Sequence, residues 1–88
     1  ADLASLIAML SSFRDRPLPQ GLVIFGEVGL AGEIRPVPGG PERLAEAAKH
    51  GFTRAIIPKG NKPPKPIGGL EVIGVGHLDE AIEAVDTF

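Results

Sequence analysis

The fold of this chain depends on residues 22–37, which divide into Leu22-Val-Ile-Phe25, Gly26-Glu-Val-Gly-Leu-Ala-Gly32 and Glu33-Ile-Arg-Pro-Val37. The first part is an apolar run of strand length, and Ile34–Val37 is a second, shorter strand candidate. Three glycines at every third position separate the two strands. We interpret these glycines as sites for a bulge or a positive φ, because the segment lacks the residue order of the known phosphate-binding loops.

A helix is predicted on each side of this segment. Before it, apolar residues at helical spacing predict an amphipathic helix over residues 2–14. Pro17 and Pro19 end that helix, because proline cannot continue the hydrogen-bond ladder. After the segment, Pro41 suits the first turn of a helix over residues 41–50, and Gly51 suits the left-handed position that closes it.

The remaining residues supply two strands and a last helix. Arg54–Ile57 and Leu70–Ile73 are strand candidates, and the proline-rich loop 60–69 between them favours extended, polyproline-like backbone. Apolar residues from Leu78 to Val85 predict the last amphipathic helix. This order of elements predicts an α/β (α+β) fold, a small mixed sheet with helices packed on it.

Length and composition limit the possible protein classes. With 88 residues we expect one domain over residues 1–88, and the start at Ala1 suggests a piece of a longer protein whose N-terminal edge is missing. The chain has no cysteine, so a disulfide, a cysteine-based zinc site and a thiol nucleophile are excluded. No apolar run approaches the ~20 residues of a membrane span, and no secretory signal is present, so we expect a cytoplasmic protein without a membrane partner.

Positive charge is concentrated in one stretch, although the formal net charge is −2. Residues 49–66 contain five basic side chains and no acid, whereas residues 70–88 contain five acids and no Lys or Arg. Such asymmetry is typical of a nucleic-acid surface or an oligomer contact, and a solvated loop is the alternative. The candidate DNA-binding residues are Arg14, Arg16, Arg35, Lys49, Arg54, Lys59, Lys62 and Lys65.

Other site chemistry has little support. A serine triad would need Ser11 or Ser12 with His50 or His77, but no G-x-S-x-G nucleophile motif is present. Both serines also fall inside a predicted helix. Two histidines far apart in sequence do not predict a metal site.

Four runs carry a resemblance to a known family: Gly26–Pro38, Pro41–Phe52, Arg54–Pro58 and Leu70–Gly74. Together they closely resemble the C-terminal domain of the bacterial RadA (Sms) family, over nearly the whole chain. That domain has the Lon-protease-like fold, also described as ribosomal protein S5 domain 2-like. The family couples it to a zinc finger and a RecA-like ATPase and assists recombination and repair as a hexameric motor on branched DNA.

The resemblance therefore implies a parent that is a DNA-dependent ATPase, with its ATP, magnesium and zinc sites outside these 88 residues. It implies a homo-hexamer that contacts duplex or branched DNA during branch migration, and a RecA-type recombinase as a further partner. This domain would scaffold the ring and contact DNA.

Similarity to the Lon peptidases permits a chemical test, because those enzymes use a Ser-Lys dyad. On Pro36-Val-Pro-Gly-Gly-Pro-Glu-Arg43 their lysine falls on Pro41, which has no ionisable group, and their serine falls before Ala1. Arg43 lies close by but stays protonated, so it is a poor base. Pro41 and Arg43 would then mark a degenerate protease site, with no catalytic residue in the chain. Two alternatives stay open: an active Ser-Lys peptidase and a pure oligomerisation module.

Overall fold

The computed structural model describes all residues from 1 to 88. Its helices are α1 (Leu3–Phe13), α2 (Gly40–Lys49) and α3 (Leu78–Thr87). Its strands are β1 (Leu22–Ile24), β2 (Glu27–Val28), β3 (Ile34–Arg35), β4 (Arg54–Pro58) and β5 (Glu71–Val75). A short 3-10 helix, Lys59–Asn61, follows β4 directly.

The strands form two separate sheets. The main sheet is parallel, with β4 in the centre and the order β1-β4-β5. β2 and β3 form an antiparallel pair beside it. The predicted α/β fold with helices on a small sheet is therefore confirmed, and the parallel and antiparallel pairings lie in different sheets.

Helices cover both faces of the main sheet because side chains alternate along β4. Ile56 packs in a cluster with Leu3 and Ile7 of α1 and Ala81 of α3. Its neighbours Ala55 and Ile57 pack in a second cluster, with Leu44 of α2. The result is three layers, with α1 and α3 on one face of the sheet and α2 on the other.

α1 and α2 end in the same hydrogen-bond pattern. In α2, the N–H of Gly51 donates to Ala48 and that of Phe52 to Ala47, with Gly51 at φ 86° as predicted. In α1, Asp15 takes the equivalent place at φ 54°, and the Arg16 N–H donates to Ser11. α1 thus ends at Phe13, before the prolines and within one residue of the predicted end, in a Schellman turn built on a non-glycine residue.

Two predicted segments differ from the structure. β3 ends at Arg35 because Pro36 has no N–H to donate to a ladder. The loop predicted to be extended bends at Pro64 and Lys65, so it does not form a straight polyproline helix.

The glycine segment, residues 26–32, contacts the start of α3, where the Leu78 N–H donates to the Gly32 carbonyl. Gly26 and Gly32 have φ 148° and 84°, as predicted, whereas Gly29 has no positive φ. A Cβ on Gly32 would lie 2.8 Å from Nε2 of His77, so the ring packs directly on the glycine. His77 also caps α3, since its Nδ1 accepts the N–H of Asp79 at 3.2 Å.

Candidate nucleic-acid interface

Three of the predicted DNA-binding residues follow the carboxyl end of β4 along one loop. We call Lys59, Lys62 and Lys65 the lysine surface. All three are exposed. The Lys59 ammonium has one acidic partner, Glu80, at 3.6 Å, and Lys62 and Lys65 have none. Exposed ammonium groups without carboxylate partners can neutralise phosphates without reading base sequence.

The backbone around the lysine surface is fixed by the hydrogen bonds of Asn61 and by close packing at Gly60 and Gly74. The Asn61 side chain accepts the Val37 N–H at 2.8 Å and donates to the Val37 carbonyl at 2.9 Å. A Cβ on Gly60 would lie 2.6 Å from Cγ of Pro36. The aliphatic stems of Lys59 and Lys62 both pack against Gly74 of β5. The two ammonium groups therefore extend from one anchored turn.

Arg35 is the last residue of β3 and precedes Pro36, which contacts Gly60 of the lysine turn. Unlike Lys62 and Lys65, Arg35 is paired with an acid. Its guanidinium donates to Glu33 at 2.6 Å, and this hydrogen bond holds the pKa of Glu33 below its ordinary value. The pKa of Glu80 is also lowered, first by the hydrogen bond that its carboxylate accepts from the Gly76 N–H and then by the charge of Lys59. Both acids therefore stay ionised at neutral pH.

Three other candidates lie at the opposite, amino end of the sheet. We call Arg14, Arg16 and Arg54 the arginine cluster. Arg14 and Arg16 share the carboxylate of Asp86, at 3.1 and 3.7 Å. The Arg54 guanidinium lies over the Phe88 ring, 4.5 Å from its centroid. The arginine cluster therefore contacts Asp86 and Phe88 at the C-terminal end of the chain, whereas Lys62 and Lys65 have no acidic partner.

The structure does not bring the eight candidates onto one surface. β4 runs from Arg54 to Pro58, which separates the arginine cluster from Lys59 by about 16 Å of strand. Lys49 is exposed at the end of α2, on the other face of the sheet from α1 and α3. DNA contact by these residues stays a prediction, and the lysine surface is the group with the most available charge.

The proposed degenerate protease site lies in the first turn of α2. Pro41 is exposed there, and the Arg43 guanidinium lies 5.5 Å from the centroid of the buried Phe25 ring. All the serines of the chain, Ser5, Ser11 and Ser12, lie on α1, which covers the other face of the sheet. No serine of this chain can therefore meet a base on α2.

Sequence reasoning missed the residues that position the charges. Asn61 fixes the lysine turn, and Asp86 and Phe88 hold the arginine cluster. Only Asn61 gave a signal, since a lone amide in a basic glycine-containing turn is typical of a backbone-bonding side chain. No group of three or more His, Cys, Asp or Glu side chains could hold a metal ion. None of the helices has the length and apolar content of a membrane span.

Comparison with known proteins gives the family. Residues 1–61 match the family model described as subunit ChlI of Mg-chelatase. The chain belongs to this family. Over 86 residues it is 66% identical to the DNA repair protein RadA of Salmonella typhimurium and 64% identical to that of Escherichia coli. RadA of Mycobacterium tuberculosis is 52% identical over 83 residues.

The match to RadA covers nearly all of this chain but little of each relative. The aligned part is 98% of this chain and 19% of the Salmonella and Escherichia proteins, and 94% and 17% for the Mycobacterium protein. The resemblance to RadA drawn from the four sequence runs is confirmed. The chain spans 19% of the length of the first two relatives, so its similarity concerns one segment of a DNA repair protein.

Proposed function

We propose that this chain is a non-proteolytic, Lon-like domain of a RadA-type DNA-repair ATPase. In that parent it scaffolds a hexameric ring and contacts duplex DNA during branch migration. The identity of 66% to a DNA repair protein supports the repair role. The single structural observation that carries the DNA contact is the lysine surface, where three ammonium groups extend near one carboxylate.

The residue types of this surface favour contact with DNA phosphates over recognition of the bases. The chain has no Tyr or Trp, so stacking on unpaired bases has little support. Flexible lysine side chains act as point charges toward phosphates. We therefore expect affinity for duplex DNA that is independent of sequence and falls steeply with salt.

Peptidase activity is the second candidate, and the residue at the lysine position speaks against it. By the resemblance to the Lon peptidases, Pro41 falls at the place of their lysine, and their serine falls before Ala1. Arg43 packs on Phe25, and a guanidinium is a poor general base. Casein hydrolysis by the full-length parent, blocked by a serine-directed inhibitor, would restore this candidate.

A pure oligomerisation module is the third candidate. It is favoured by exposed apolar side chains, because Phe13 on α1 is 91% exposed and Leu30 of the hairpin is fully exposed. Ring scaffolding and DNA contact are compatible, since the two use different residues. Light scattering of the chain at high concentration tests oligomerisation by itself. A monomer would contradict scaffolding by this domain alone.

The parent's cofactors belong outside this chain in our proposal. The residues present do not fit a zinc or magnesium site, because no three potential ligands lie close enough together. ATP, magnesium and zinc would bind the other segments of the parent. A RecA-type recombinase is the expected protein partner, and a role on chromosomal DNA places the parent in the cytoplasm.

The test is duplex DNA binding by the full-length parent as a function of salt. The double variant Lys59→Glu and Lys62→Glu should weaken binding by well over tenfold, and the dependence of log K on log salt should become shallower. The charge-preserving double variant Lys59→Arg and Lys62→Arg is the matched control and should bind like the unchanged protein. Both substitutions leave Asn61 in place.

A second pair of variants locates the DNA surface. Arg14→Gln with Arg16→Gln removes the same charge as Lys59→Gln with Lys62→Gln, but at the amino end of the sheet. We expect the lysine pair to lower DNA affinity by roughly thirtyfold and the arginine pair by much less. If the arginine pair has the larger effect, the DNA surface lies at the amino end and this assignment is wrong.

A further inference from the structure

A hollow between α1 and α3 has no part in the proposed DNA contact. It is an open depression of about 80 Å³, bounded by α1, the segment 16–19 and α3. Its apolar lining is formed by Ile7, Leu10, Leu18, Ile82, Val85 and Phe88.

The polar groups of this hollow stand together at its mouth. Arg14, Arg16 and Asp86 line the same space as the apolar residues. Arg14 donates one hydrogen bond to Asp86, and Arg16 lies 3.7 Å from the other carboxylate oxygen. Two guanidinium groups carry ten N–H donors and one excess positive charge over a single carboxylate. Most of their donors are therefore free for a second acceptor.

The backbone fixes the two arginines relative to each other. They flank Asp15, the left-handed residue of the Schellman turn, and the Arg16 N–H donates to Ser11 at 3.0 Å. The Ser11 hydroxyl donates to the Arg16 carbonyl. Arg54 of β4 stacks on the Phe88 ring, which also lines the hollow. Contacts that restrain Arg16 and Phe88 before a ligand arrives lower the cost of ordering them on binding.

We propose that this hollow binds the C-terminal residue of a partner peptide whose last side chain is large and apolar. The terminal carboxylate would lie on Arg14 and Arg16, and the side chain would enter the space above Ile82 and Val85. One residue then supplies both the negative charge and the apolar group that the lining requires. Planar guanidinium groups are the preferred partners of carboxylates, which is why the arginines, rather than the apolar floor alone, select this ligand.

The test uses acetyl-Ser-Gly-Leu-Phe with a free C-terminus, titrated into the isotope-labelled chain. We expect shifts of the methyl signals of Leu10, Leu18, Ile82 and Val85. The same peptide with a C-terminal amide should bind at least about tenfold more weakly, because it lacks the charge-assisted hydrogen bonds. Equal binding of acid and amide would overturn the carboxylate contact.

Variants distinguish direct binding by Arg14 and Arg16 from a general effect of positive charge on the protein. Arg14→Ala with Arg16→Ala should weaken peptide binding at least about tenfold. The control Lys49→Ala with Lys65→Ala removes two charges outside the hollow and should have no effect. Asp86→Asn should tighten binding a few-fold, since it frees both guanidinium groups. Weaker binding by Asp86→Asn would contradict the proposal even if the arginine variant misfolds.

Other occupants give different results. If a short DNA duplex shifts the same methyl signals and the peptide does not, the hollow belongs to the DNA surface. If the signals shift on raising the concentration of the chain alone, a second copy fills the hollow. Either result overturns the peptide assignment.

Discussion

At the amino end of the parallel sheet Arg14 and Arg16 share the carboxylate of Asp86, whereas at the carboxyl end Lys62 and Lys65 pair with no acid. Both ends carry positive charge, but at the carboxyl end only Lys59 has an acidic partner, Glu80. The arginines stand over an apolar hollow, and the lysines stand over a loop surface. This difference agrees with the two proposals, a peptide C-terminus at the amino end and the DNA backbone at the carboxyl end.

The two ends also differ in how the chain positions the charged residues. Arg14 and Arg16 are held by main-chain hydrogen bonds of a helix terminus. Lys59 and Lys62 are held by one side chain, Asn61, and by close packing on Gly74. Main-chain hydrogen bonds do not depend on a particular side chain, whereas a turn held by one amide loses its hydrogen bonds when that side chain is removed. This difference leads to predictions of decreasing size.

The largest expected effect is at Asn61. Asn61→Ala removes both hydrogen bonds to Val37 and leaves two partly buried backbone groups without partners. We expect the free energy of unfolding to fall by about 2 kcal/mol in urea titration. DNA affinity of the full-length parent should fall as well, because the lysine turn loses its anchor.

The control for this change is Gln20→Ala, which removes an exposed amide with no hydrogen bond and should change stability by less than about 0.5 kcal/mol. If Asn61→Ala unfolds at the same urea concentration as the unchanged chain, side-chain anchoring of the carboxyl end is wrong.

The second effect concerns the two Schellman turns. Gly51→Ala should lower the free energy of unfolding by about 1 kcal/mol, and since its Cβ would meet no atom within 4 Å, the cost is one of backbone conformation. Asp15→Gly should raise stability by about 0.5–1 kcal/mol, because glycine adopts φ 54° without strain.

Asp15→Asn is the control for the charge of Asp15. Asparagine tolerates the left-handed region, so this variant should be close to neutral in thermal or urea unfolding. A stabilisation by Asn as large as that by Gly would mean that charge, and not backbone strain, sets the cost at this turn.

The smallest effect is the pH dependence at the carboxyl end. The pKa of Glu80 is lowered in the folded chain, so the unfolded chain binds this proton more readily. The stability that Glu80 contributes is present above the ordinary glutamate pKa, about 4.3, and is lost as the pH falls through the lower folded value. Glu80→Gln should therefore make unfolding less dependent on pH in that acidic range.

Glu83→Gln on the same helix is the matched control, because the Glu83 side chain forms no ion pair and accepts no hydrogen bond. Acid titration of the unfolding midpoint compares the two variants. The same pH profile for both would contradict a special contribution of Glu80.

Much of the fold could be predicted because each element carries a local signal. The apolar spacing of α1, the Gly51 terminus of α2 and the apolar run of β1 all appear where the sequence places them. The Schellman turn at the end of α1 could not be predicted, because Asp15 is an ordinary surface residue in sequence and a left-handed residue only in context. The short β3 results from Pro36 and from the use of the Val37 N–H by Asn61, which is 24 residues away.

The candidate site was less predictable than the fold. Sequence supplied all eight basic residues but not their division between the two ends of the sheet. That division depends on β4 lying in the centre of a parallel sheet, between β1 and β5. It also depends on Asp86, whose pairing with Arg14 spans 72 residues. Contacts over such separations leave no local pattern.

The sequence by itself determined the elements and the family resemblance, and it supplied the prediction that Pro41 replaces the Lon lysine, because each of these lies in contiguous residues. The tertiary structure alone decided which charges are free and which are paired. It also formed the hollow between α1 and α3, whose lining comes from residues 7–19 and 82–88. The physical reason is that charge pairing and cavity shape depend on distances between elements, and these are set only when both faces of the sheet are packed.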